Sequence, residues 1–385
     1  MRVLHVVATG ERRGAELFAS ALVGALASEG VEQQVHILRS SGPPSVSFAA
    51  PIVAPDGRGP RLPAVRVDLG GIWSLRHTVR AFAPDVVQAH GGEALKHVLA
   101  STVGNGARVV YRRIGDAGQF AGSRLRERAH VGLMGRAARV VTVAEALRAD
   151  LVERLGLPAS RVVTIPNGVD PERLEPTRSR TEIRAALGID ADAPVVLSLG
   201  ALTWEKDPLT HVRVVAEVAA DHPGLMHVVA GDGPLRARVE AEVRRLVTED
   251  RTRLLGARRD VGDLLTASDV LLVASRTEGM PACVIEAGMV GVPVVAYGVS
   301  GVPEVVVDGA TGMLARPGDR AALTNALSGL LAREELRRKL GAAAAHRCRE
   351  RFGIGVVARR YLDLYEELAK RPARVASDPH GGMAP

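Results

Sequence analysis

The chain is poor in cysteine and aromatic residues and has no long apolar run. Cys283 and Cys348 have no partners at metal-ligand spacing and provide no disulfide framework, so a reducing cytoplasm is the expected compartment. No segment approaches the roughly 18 apolar residues of a membrane-spanning helix. Residues 1–8 are too short an apolar stretch for a signal peptide, so any membrane contact is expected to be peripheral.

Aromatic residues make up 3% of a chain that is 46% apolar, so its cores must be built mainly from Ala, Val and Leu. A length of 385 residues is sufficient for two domains of ordinary size. Most of the formal net charge of +7 lies in residues 1–175. A basic N-terminal half suits an anionic acceptor or a membrane surface, although solubility explains this excess equally well. We expect no nucleic-acid partner. Since no His or acidic cluster has metal-ligand spacing, we also expect no catalytic metal.

Short apolar runs alternate with segments of helical periodicity along the chain. The runs are residues 3–8, 35–38, 85–88, 109–111, 140–143, 161–165, 195–199, 226–230, 253–255, 270–273 and 294–297. Val- and Ile-rich runs of this length are typical of parallel strands covered on both faces, so two doubly wound α/β domains are predicted. We place the domains at residues 1–172 and 173–353, with a hinge at 171–179, a final helix at 354–370 and a disordered tail at 371–385. Residues 41–63, rich in Pro, Gly and Ser, are predicted to form a loop.

Two glutamates flank a predicted helix start in the second half. Seven residues separate Glu278 from Glu286, and Pro281 suits the first helical turn, where its missing N–H would be unpaired anyway. Free amides near Gly279 and Met280 then favour an anion. The pattern predicts that the two carboxylates each face a polyol, with phosphates between them. The structural alternative is a capping acid and a solvated helix residue.

The string from residue 278 to residue 304 resembles the E-x7-E signature of retaining family-4 glycosyltransferases, which have the GT-B fold. Further matches lie at residues 10–16, 84–90, 165–170, 199–208, 231–234 and 312–318. The resemblance implies two Rossmann-like domains facing a central cleft, the first for the acceptor and the second for a nucleotide-diphosphate sugar. The final helix would cross back to the first domain. The implied activity is retaining hexosyl transfer to a sugar, lipid-linked or small-molecule acceptor.

The resemblance also implies residue roles in the second domain. Glu286 would bind the ribose hydroxyls, and Glu278 would contact the donor sugar with the amides near residues 279–281. Lys206, six residues after Gly200 and a predicted strand, can reach a diphosphate as a point charge and matches the family's lysine. The family's usual arginine directly after that glycine is replaced here by Ala201.

Two arginines are candidates to compensate for that missing cation. They are Arg258, which we assign to donor binding, and Arg276. If neither compensates, catalysis would be poorer or the chain would be a non-catalytic relative.

Candidates in the first half lie at predicted strand ends. His90 precedes two glycines and would stabilise positive charge or bond a sugar hydroxyl, with a core histidine as the alternative. Gly10, assigned to donor binding, and Gly14 flank a turn that resembles the family's Gly-rich loop, although Arg13 breaks its usual pair of glycines. Arg13, Gly14 and Asp116 are candidate acceptor contacts.

Other functions remain open at this point. A nucleotide-sugar 2-epimerase shares the two-domain fold, and a non-catalytic nucleotide-sugar-binding relative would explain Ala201. A nicotinamide dehydrogenase is disfavoured because residues 10–14 lack the G-x-G-x-x-G spacing. Asp190 and Asp192 resemble a metal-binding D-x-D pair, but they precede the first strand of the second domain, so we assign them to a loop.

Overall fold

The computed structural model describes residues 1–40, 42–54, 61–62, 67–115, 124–246 and 248–370. The predicted tail at 371–385 and the candidate Asp116 lie outside these residues. The strands are β1 (Arg2–Thr9), β2 (Glu32–Arg39), β3 (Ile52–Val53), β4 (Arg61–Leu62), β5 (Val67–Asp68), β6 (Val86–His90), β7 (Arg108–Arg113), β8 (Arg139–Thr142), β9 (Val162–Thr164), β10 (Val195–Leu199), β11 (Met226–Ala230), β12 (Thr252–Gly256), β13 (Val270–Val273), β14 (Val294–Tyr297) and β15 (Gly312–Ala315).

The α-helices are α1 (Gly14–Ser28), α2 (Leu69–Phe82), α3 (Gly92–Ser101), α4 (Arg124–Met134), α5 (Glu145–Ala149), α6 (Arg180–Ala186), α7 (Pro208–Val218), α8 (Arg236–Arg245), α9 (Val261–Ala267), α10 (Ala282–Met289), α11 (Val302–Val305), α12 (Arg320–Leu331), α13 (Glu334–Phe352) and α14 (Ile354–Lys370). A π-helix at Asp150–Arg154 and 3-10 turns at Ala159–Arg161 and Pro171–Leu174 complete the helical elements among the described residues.

Two parallel sheets confirm the predicted doubly wound architecture. The first has the strand order β3-β2-β1-β6-β7-β8-β9, and the second has the order β12-β11-β10-β13-β14-β15. In both sheets the chain first adds strands on one side of the first strand and then reverses to the other side. The crevice at the carboxyl ends beside that reversal is where doubly wound folds bind ligands. The reversals fall between β1 and β6 and between β10 and β13.

The core of the second sheet is built from the apolar runs that the sequence places on its strands. Val195, Val196, Leu197 and the whole of β13 are buried, and they pack in one cluster with residues of helices α10 and α12. These runs contain no polar alternation because helices cover both faces of the sheet. The Val- and Leu-rich composition therefore favours both strand formation and burial, and the strand bounds match the predicted runs closely.

The chain divides into two compact units. The first comprises Met1–Arg112, His130–Val140 and the described residues from Arg359 onward, and the second comprises Arg113–Ala129 and Val141–Ala358. Within the first unit, the C-terminal helical residues bury one stripe of side chains, Tyr361, Leu364, Tyr365 and Leu368. The Tyr365 hydroxyl donates to Gln88 Oε1 on β6 at 2.8 Å. Within the described residues, we find no helix with the length and apolar character needed to span a bilayer.

The predicted loop at residues 41–63 was wrong in part. Ile52 and Val53 form a short parallel strand beside β2, and Arg61–Leu62 pairs antiparallel with Val67–Asp68. Two-residue strands are too short to show the alternation by which strands are predicted. β15 was also not predicted as a strand, because its sequence Gly-Met-Leu-Ala lacks the β-branched residues typical of the other strands.

Candidate functional site

A pocket lies at the reversal point of the second sheet. Its cavity volume is about 20 Å³. Its lining includes the carboxyl ends of β10, β11 and β13 together with the loops that follow them: Ser198, Leu199, Gly200, Ala201, Leu202, Lys206, Pro208, His211, Val229, Val273, Ser275, Glu278 and Cys283. The sequence-predicted Lys206 and Glu278 therefore come together at the position where this fold class binds ligands.

Lys206 and Glu278 form a close ion pair in this pocket. Lys206 Nζ lies 2.5 Å from Glu278 Oε1, and the Ser275 hydroxyl donates to the same oxygen at 2.6 Å. Glu278 is only 8% exposed, so its charge needs these partners. Burial alone would lower the pKa of Lys206, but the charge of Glu278 and its hydrogen bond to the lysine outweigh that effect and raise the pKa. The lysine therefore carries a full positive charge at neutral pH.

The loop that carries Glu278 is held by close backbone contacts. A Cβ atom at Gly279 would lie 2.0 Å from the carbonyl oxygen of Ile114, so no other residue fits without movement of the loop. The Gly279 carbonyl accepts from Gly301 N–H at 2.9 Å. Asn167 Nδ2 donates to the carbonyl of Met280 at 2.5 Å. These contacts on both sides restrict the movement of the segment between Glu278 and α10.

The buried His211 lines the pocket and is linked through Ser198 to the buried His227. His211 Nε2 accepts from the backbone N–H of Ala274 at 2.9 Å, so the ring proton must be on Nδ1, which lies 2.8 Å from Ser198 Oγ. The same hydroxyl lies 2.9 Å from His227 Nε2. Burial lowers the pKa of His211 to about 4 and of His227 to about 3, so both are neutral near pH 7. Because Ala274 directly precedes Ser275, this network fixes the start of the Glu278 loop.

Glycines allow the two loops at the pocket rim to approach each other. A Cβ at Gly231 would lie 1.8 Å from the carbonyl oxygen of Gly200. A Cβ at Gly233 would lie 2.6 Å from the carbonyl oxygen of Leu202. The glycines of the 231–234 motif therefore have a steric reason, and the backbone of residues 200–202 lines the pocket directly.

Glu286 lies on α10, as predicted, and is half-buried. Burial raises the pKa of its carboxyl group, and the charge of Arg173 opposes that effect. Helix α10 begins at Ala282, and Pro281 precedes it as the N-cap residue with φ −71° and ψ 123°. Pro281 thus lies one position before the predicted first turn. The amides of the first helical turn follow it directly.

The missing arginine at position 201 has no simple replacement among the described residues. Ala201 is exposed at the pocket rim. Arg258 pairs with Asp260 at 2.5 Å, and Arg276 pairs with Asp207 at 2.8 Å. The Arg276 guanidinium also lies 5.4 Å from the Trp204 ring centroid. Both candidate cations are therefore engaged with other partners.

The first-half candidates belong to the first unit. His90 ends β6, is 2% exposed, and its Nε2 lies 3.2 Å from His5 Nδ1. A Cβ at Gly10 would lie 2.8 Å from Pro44 Cβ, which gives this glycine a packing role. Arg13 and Gly14 are exposed at the start of α1, where Arg13 pairs with Glu11 at 2.5 Å.

Several residues of the pocket were not singled out from the sequence. Ser275, Ser198 and His211 have no motif of their own, and their contacts depend on strands that are distant in sequence. Asn167 lies in a matched motif, residues 165–170, but without an assigned role. Cys283 lines the pocket, and burial raises the pKa of its thiol to about 12. Among the described residues, no group of three or more His, Cys, Asp or Glu side chains could hold a metal ion.

Comparison with known proteins agrees with this geometry. The model of glycosyl transferases group 1 matches residues 179–347, and the model of glycosyltransferase family 4 matches residues 12–173. D-inositol 3-phosphate glycosyltransferase of Kineococcus radiotolerans is 30% identical over 96% of this chain and 94% of its own length. 2-Deoxystreptamine N-acetyl-D-glucosaminyltransferase of Streptomyces fradiae is 29% identical over 94% of this chain and 91% of its own. N-acetyl-alpha-D-glucosaminyl L-malate synthase of Bacillus anthracis is 29% identical over 55% of each chain.

Solved structures share the fold. The crystal structure of Anabaena HepE with UDP and glucose has a TM-score of 0.84 and 20% identity, over 95% of this chain and 100% of that chain. Sucrose-phosphate synthase from Thermosynechococcus elongatus has a TM-score of 0.83 and 21% identity, over 96% and 99%. These likenesses confirm the predicted GT-B class of two Rossmann-like domains. The chain belongs to the glycosyltransferases that combine a family 4 N-terminal region with a group 1 C-terminal region.

Proposed function

We propose that this glycosyltransferase moves a hexosyl group from a nucleotide-diphosphate sugar to a carbohydrate, lipid-linked or small-molecule acceptor, with retention of configuration and without a metal ion. The observation that carries the donor assignment is the Lys206–Glu278 ion pair in the pocket at the carboxyl ends of β10 and β13. A half-buried cation beside strand ends and a helix start offers a diphosphate the charge that it requires.

The ion pair suggests how Lys206 could exchange Glu278 for a bound diphosphate. Without ligand, Lys206 neutralises Glu278, whose burial makes an unpaired charge costly. A diphosphate carries more charge than a carboxylate and would draw Lys206 toward itself. Glu278, still held by the Ser275 hydroxyl, would then accept hydrogen bonds from the hydroxyls of the donor sugar. In the transition state Lys206 would stabilise the charge that grows on the leaving diphosphate.

The nucleotide and helix contacts follow from the same arrangement. We propose that Glu286 accepts hydrogen bonds from the ribose hydroxyls. The backbone near Gly279, Met280 and Pro281, which precedes α10, would face the phosphates at the positive end of that helix. Arg258 would contribute to donor binding only if it leaves Asp260. Gly10 is proposed for donor contact, and Arg13, Gly14 and Asp116 for acceptor contact.

Retention without a covalent intermediate is supported by the partners of the candidate nucleophiles that line the pocket. The Glu278 carboxylate accepts from the Ser275 hydroxyl and is proposed to bind sugar hydroxyls rather than to attack the sugar. The Cys283 thiol has a pKa of about 12 because it is buried, and the Ser275 hydroxyl already donates to Glu278. A front-face displacement, in which the departing phosphate takes the proton of the acceptor hydroxyl, requires no protein nucleophile. His90 is proposed to contact a hydroxyl of the sugar.

The names of relatives suggest which donor and acceptors to test first. The Anabaena structure contains UDP and glucose, and curated relatives act on D-inositol 3-phosphate and 2-deoxystreptamine by their names. We therefore propose a UDP-sugar donor and a polyol acceptor as the first combination. Contact with a membrane surface through the basic N-terminal half remains a prediction, which flotation with anionic vesicles would test.

The decisive experiment incubates the purified chain with labelled UDP-, GDP- and TDP-sugars and the acceptors D-inositol 3-phosphate, 2-deoxystreptamine and L-malate. A new glycoside with the anomeric configuration of the donor supports the proposal. An inverted glycoside refutes retention, an epimerised donor indicates a 2-epimerase, and binding without turnover indicates a non-catalytic relative. Lys206→Met, which removes the pocket cation, should abolish any genuine transfer and serves as the negative control.

A further inference from the structure

A chain of hydrogen bonds in the first unit leads from the main chain to His90. Gln33 Nε2 donates to the carbonyl of Val23 at 2.9 Å, and Gln33 Oε1 lies 3.1 Å from His5 Nε2. His5 Nδ1 in turn lies 3.2 Å from His90 Nε2. Gln33, His5 and His90 are 7%, 0% and 2% exposed. At the end of this chain, His90 Nδ1 is buried and has no hydrogen-bond partner.

The chemistry of each group fixes the direction of every bond. The Val23 carbonyl only accepts, so the Gln33 amide nitrogen must face it, and Gln33 Oε1 must face His5. That oxygen also only accepts, so His5 carries its proton on Nε2 and presents a lone pair at Nδ1. His90 must therefore donate through Nε2–H, which leaves a lone pair on Nδ1. Burial lowers the pKa of His5 to about 4, so His5 is neutral near pH 7.

We propose that Gln33 and His5 are positioning residues that hold His90 as the Nε2–H tautomer, so that His90 Nδ1 accepts a hydrogen bond from a hydroxyl of the transferred sugar. The inference rests on the proposed function, which assigns His90 to the sugar. It adds that His90 acts as an acceptor, so that position of the donor must present an O–H or N–H group. A carbonyl or ether oxygen there would meet a lone pair and be rejected.

Three observations support this inference. A buried acceptor without a partner costs roughly 1–3 kcal/mol, which a ligand hydroxyl would relieve. His90 lies at the carboxyl end of β6, beside the reversal point of the first sheet, where this fold class presents groups to ligands. Burial, together with His5 and the positive Arg112, holds the pKa of His90 well below its ordinary value, so the neutral ring is maintained.

The tautomer is directly measurable. Long-range proton–nitrogen NMR correlations of the histidine-labelled full chain distinguish protonated from unprotonated ring nitrogens, and the His90→Gln spectrum identifies the His90 signals. We expect a protonated Nε2 and an unprotonated Nδ1 without ligand. UDP alone should leave Nδ1 unchanged, whereas the UDP-sugar that is turned over should shift it. A protonated Nδ1, or a donor that leaves its signal unmoved, overturns the proposal.

Variants separate positioning from simple stability. Gln33→Leu removes the acceptor that orients His5, so His90 should populate both tautomers and the transfer rate should fall at least fivefold, with UDP affinity within twofold of wild type. The matched control is Thr78→Val, which removes a hydrogen bond to the buried His36 at 3.0 Å in the same unit. Both variants should melt earlier, but Thr78→Val should keep the tautomer and the rate. Wild-type tautomer and rate in Gln33→Leu would refute the inference.

The two proposals fail in distinguishable ways. If no donor in the panel is turned over, the proposed function fails, and UDP-glucose is then used as a binding probe for the His90 signal. If transfer occurs and His90 carries its proton on Nδ1, the proposed function stands and the tautomer inference is wrong.

Discussion

Replacing Glu286 by glutamine should stabilise the ligand-free protein against unfolding and should also weaken nucleotide binding. The carboxyl group lies half-buried on α10, and burial raises its pKa because the charged form loses hydration there. A folded-state pKa above the unfolded value means that the stability contribution is full at low pH and is lost as the pH rises through the folded pKa. Glu286→Gln removes this ionisation, so its melting temperature should exceed that of wild type near pH 8, and the difference should shrink toward pH 4.

Binding should move in the opposite direction. If Glu286 holds two ribose hydroxyls, it makes two charge-assisted bonds of roughly 1.5–3 kcal/mol each, whereas a neutral amide makes bonds of roughly 0.5–1.5 kcal/mol. The loss of about 2–3 kcal/mol corresponds to a roughly 30- to 150-fold weaker Kd for UDP. Isothermal titration and thermal melting on the same preparations give both numbers.

The control for this experiment is Glu217→Gln, which alters a surface glutamate that pairs with Arg320. It should change neither quantity by more than a small amount, because exposed pairs contribute little. A UDP Kd for Glu286→Gln within threefold of wild type would refute the ribose role. A lower melting temperature at pH 8 would show instead that the carboxylate is a structural partner, for example of Arg173.

The remaining predictions concern charge, packing, acid stability and metals. Lys206→Met should lower the transfer rate at least 100-fold in a folded protein, whereas Lys370→Met, at an exposed pair with Glu366, should leave the rate unchanged. Gly279→Ala should weaken donor binding and lower the melting temperature because its Cβ would collide with the Ile114 carbonyl; Gly329→Ala, with no neighbour within 4 Å, should be neutral or stabilising. The pKa of His211, about 4 in the folded state and ordinarily 6.5, lies below the unfolded value, so its contribution of on the order of 3 kcal/mol should be present above pH 6.5 and lost toward pH 4; His211→Asn should flatten that part of a melting-temperature profile. Transfer should survive EDTA, and a complete loss that added metal reverses would refute metal independence.

The strands of the second sheet were predictable from sequence because helices cover both faces of the sheet, and this burial requires the apolar runs by which the strands are identified. β10, β11, β13 and β14 begin and end at the predicted residues, and each of these apolar runs is bounded on at least one side by Pro, Gly or Asp. Covered parallel strands require that composition. The final helix, predicted at residues 354–370, has the same bounds in the structure. The domain boundaries remain predictions.

The contacts of the site could not be predicted in the same manner. Lys206 and Glu278 are 72 positions apart in the sequence, and their meeting depends on β10 and β13 being neighbours in the sheet. The sequence motif places each residue at a strand end, but spacing within a motif contains no information about strand order. His5 and Gln33 illustrate the same limit: they lie within strands, belong to no motif, and acquire a role only because β2, β1 and β6 are adjacent.

The cations in and near the pocket are paired with carboxylates, so the position of the backbone amides matters more for binding an anion. Lys206 and Glu278 together are neutral, and Ala201 supplies no second cation. Arg258 and Arg276, paired with Asp260 and Asp207, are likewise compensated. If Lys206 turns from Glu278 to a bound diphosphate, as proposed, it supplies a single cation, and backbone amides at the start of α10 would have to add to the attraction; such dipoles act only over the first turn. A displacement of that turn by a fraction of an ångström would therefore weaken binding more than in a pocket with an additional arginine. The contacts at Gly279 and Asn167 restrict the movement of this loop, and they therefore hold the amides of that turn in place where no additional arginine is present.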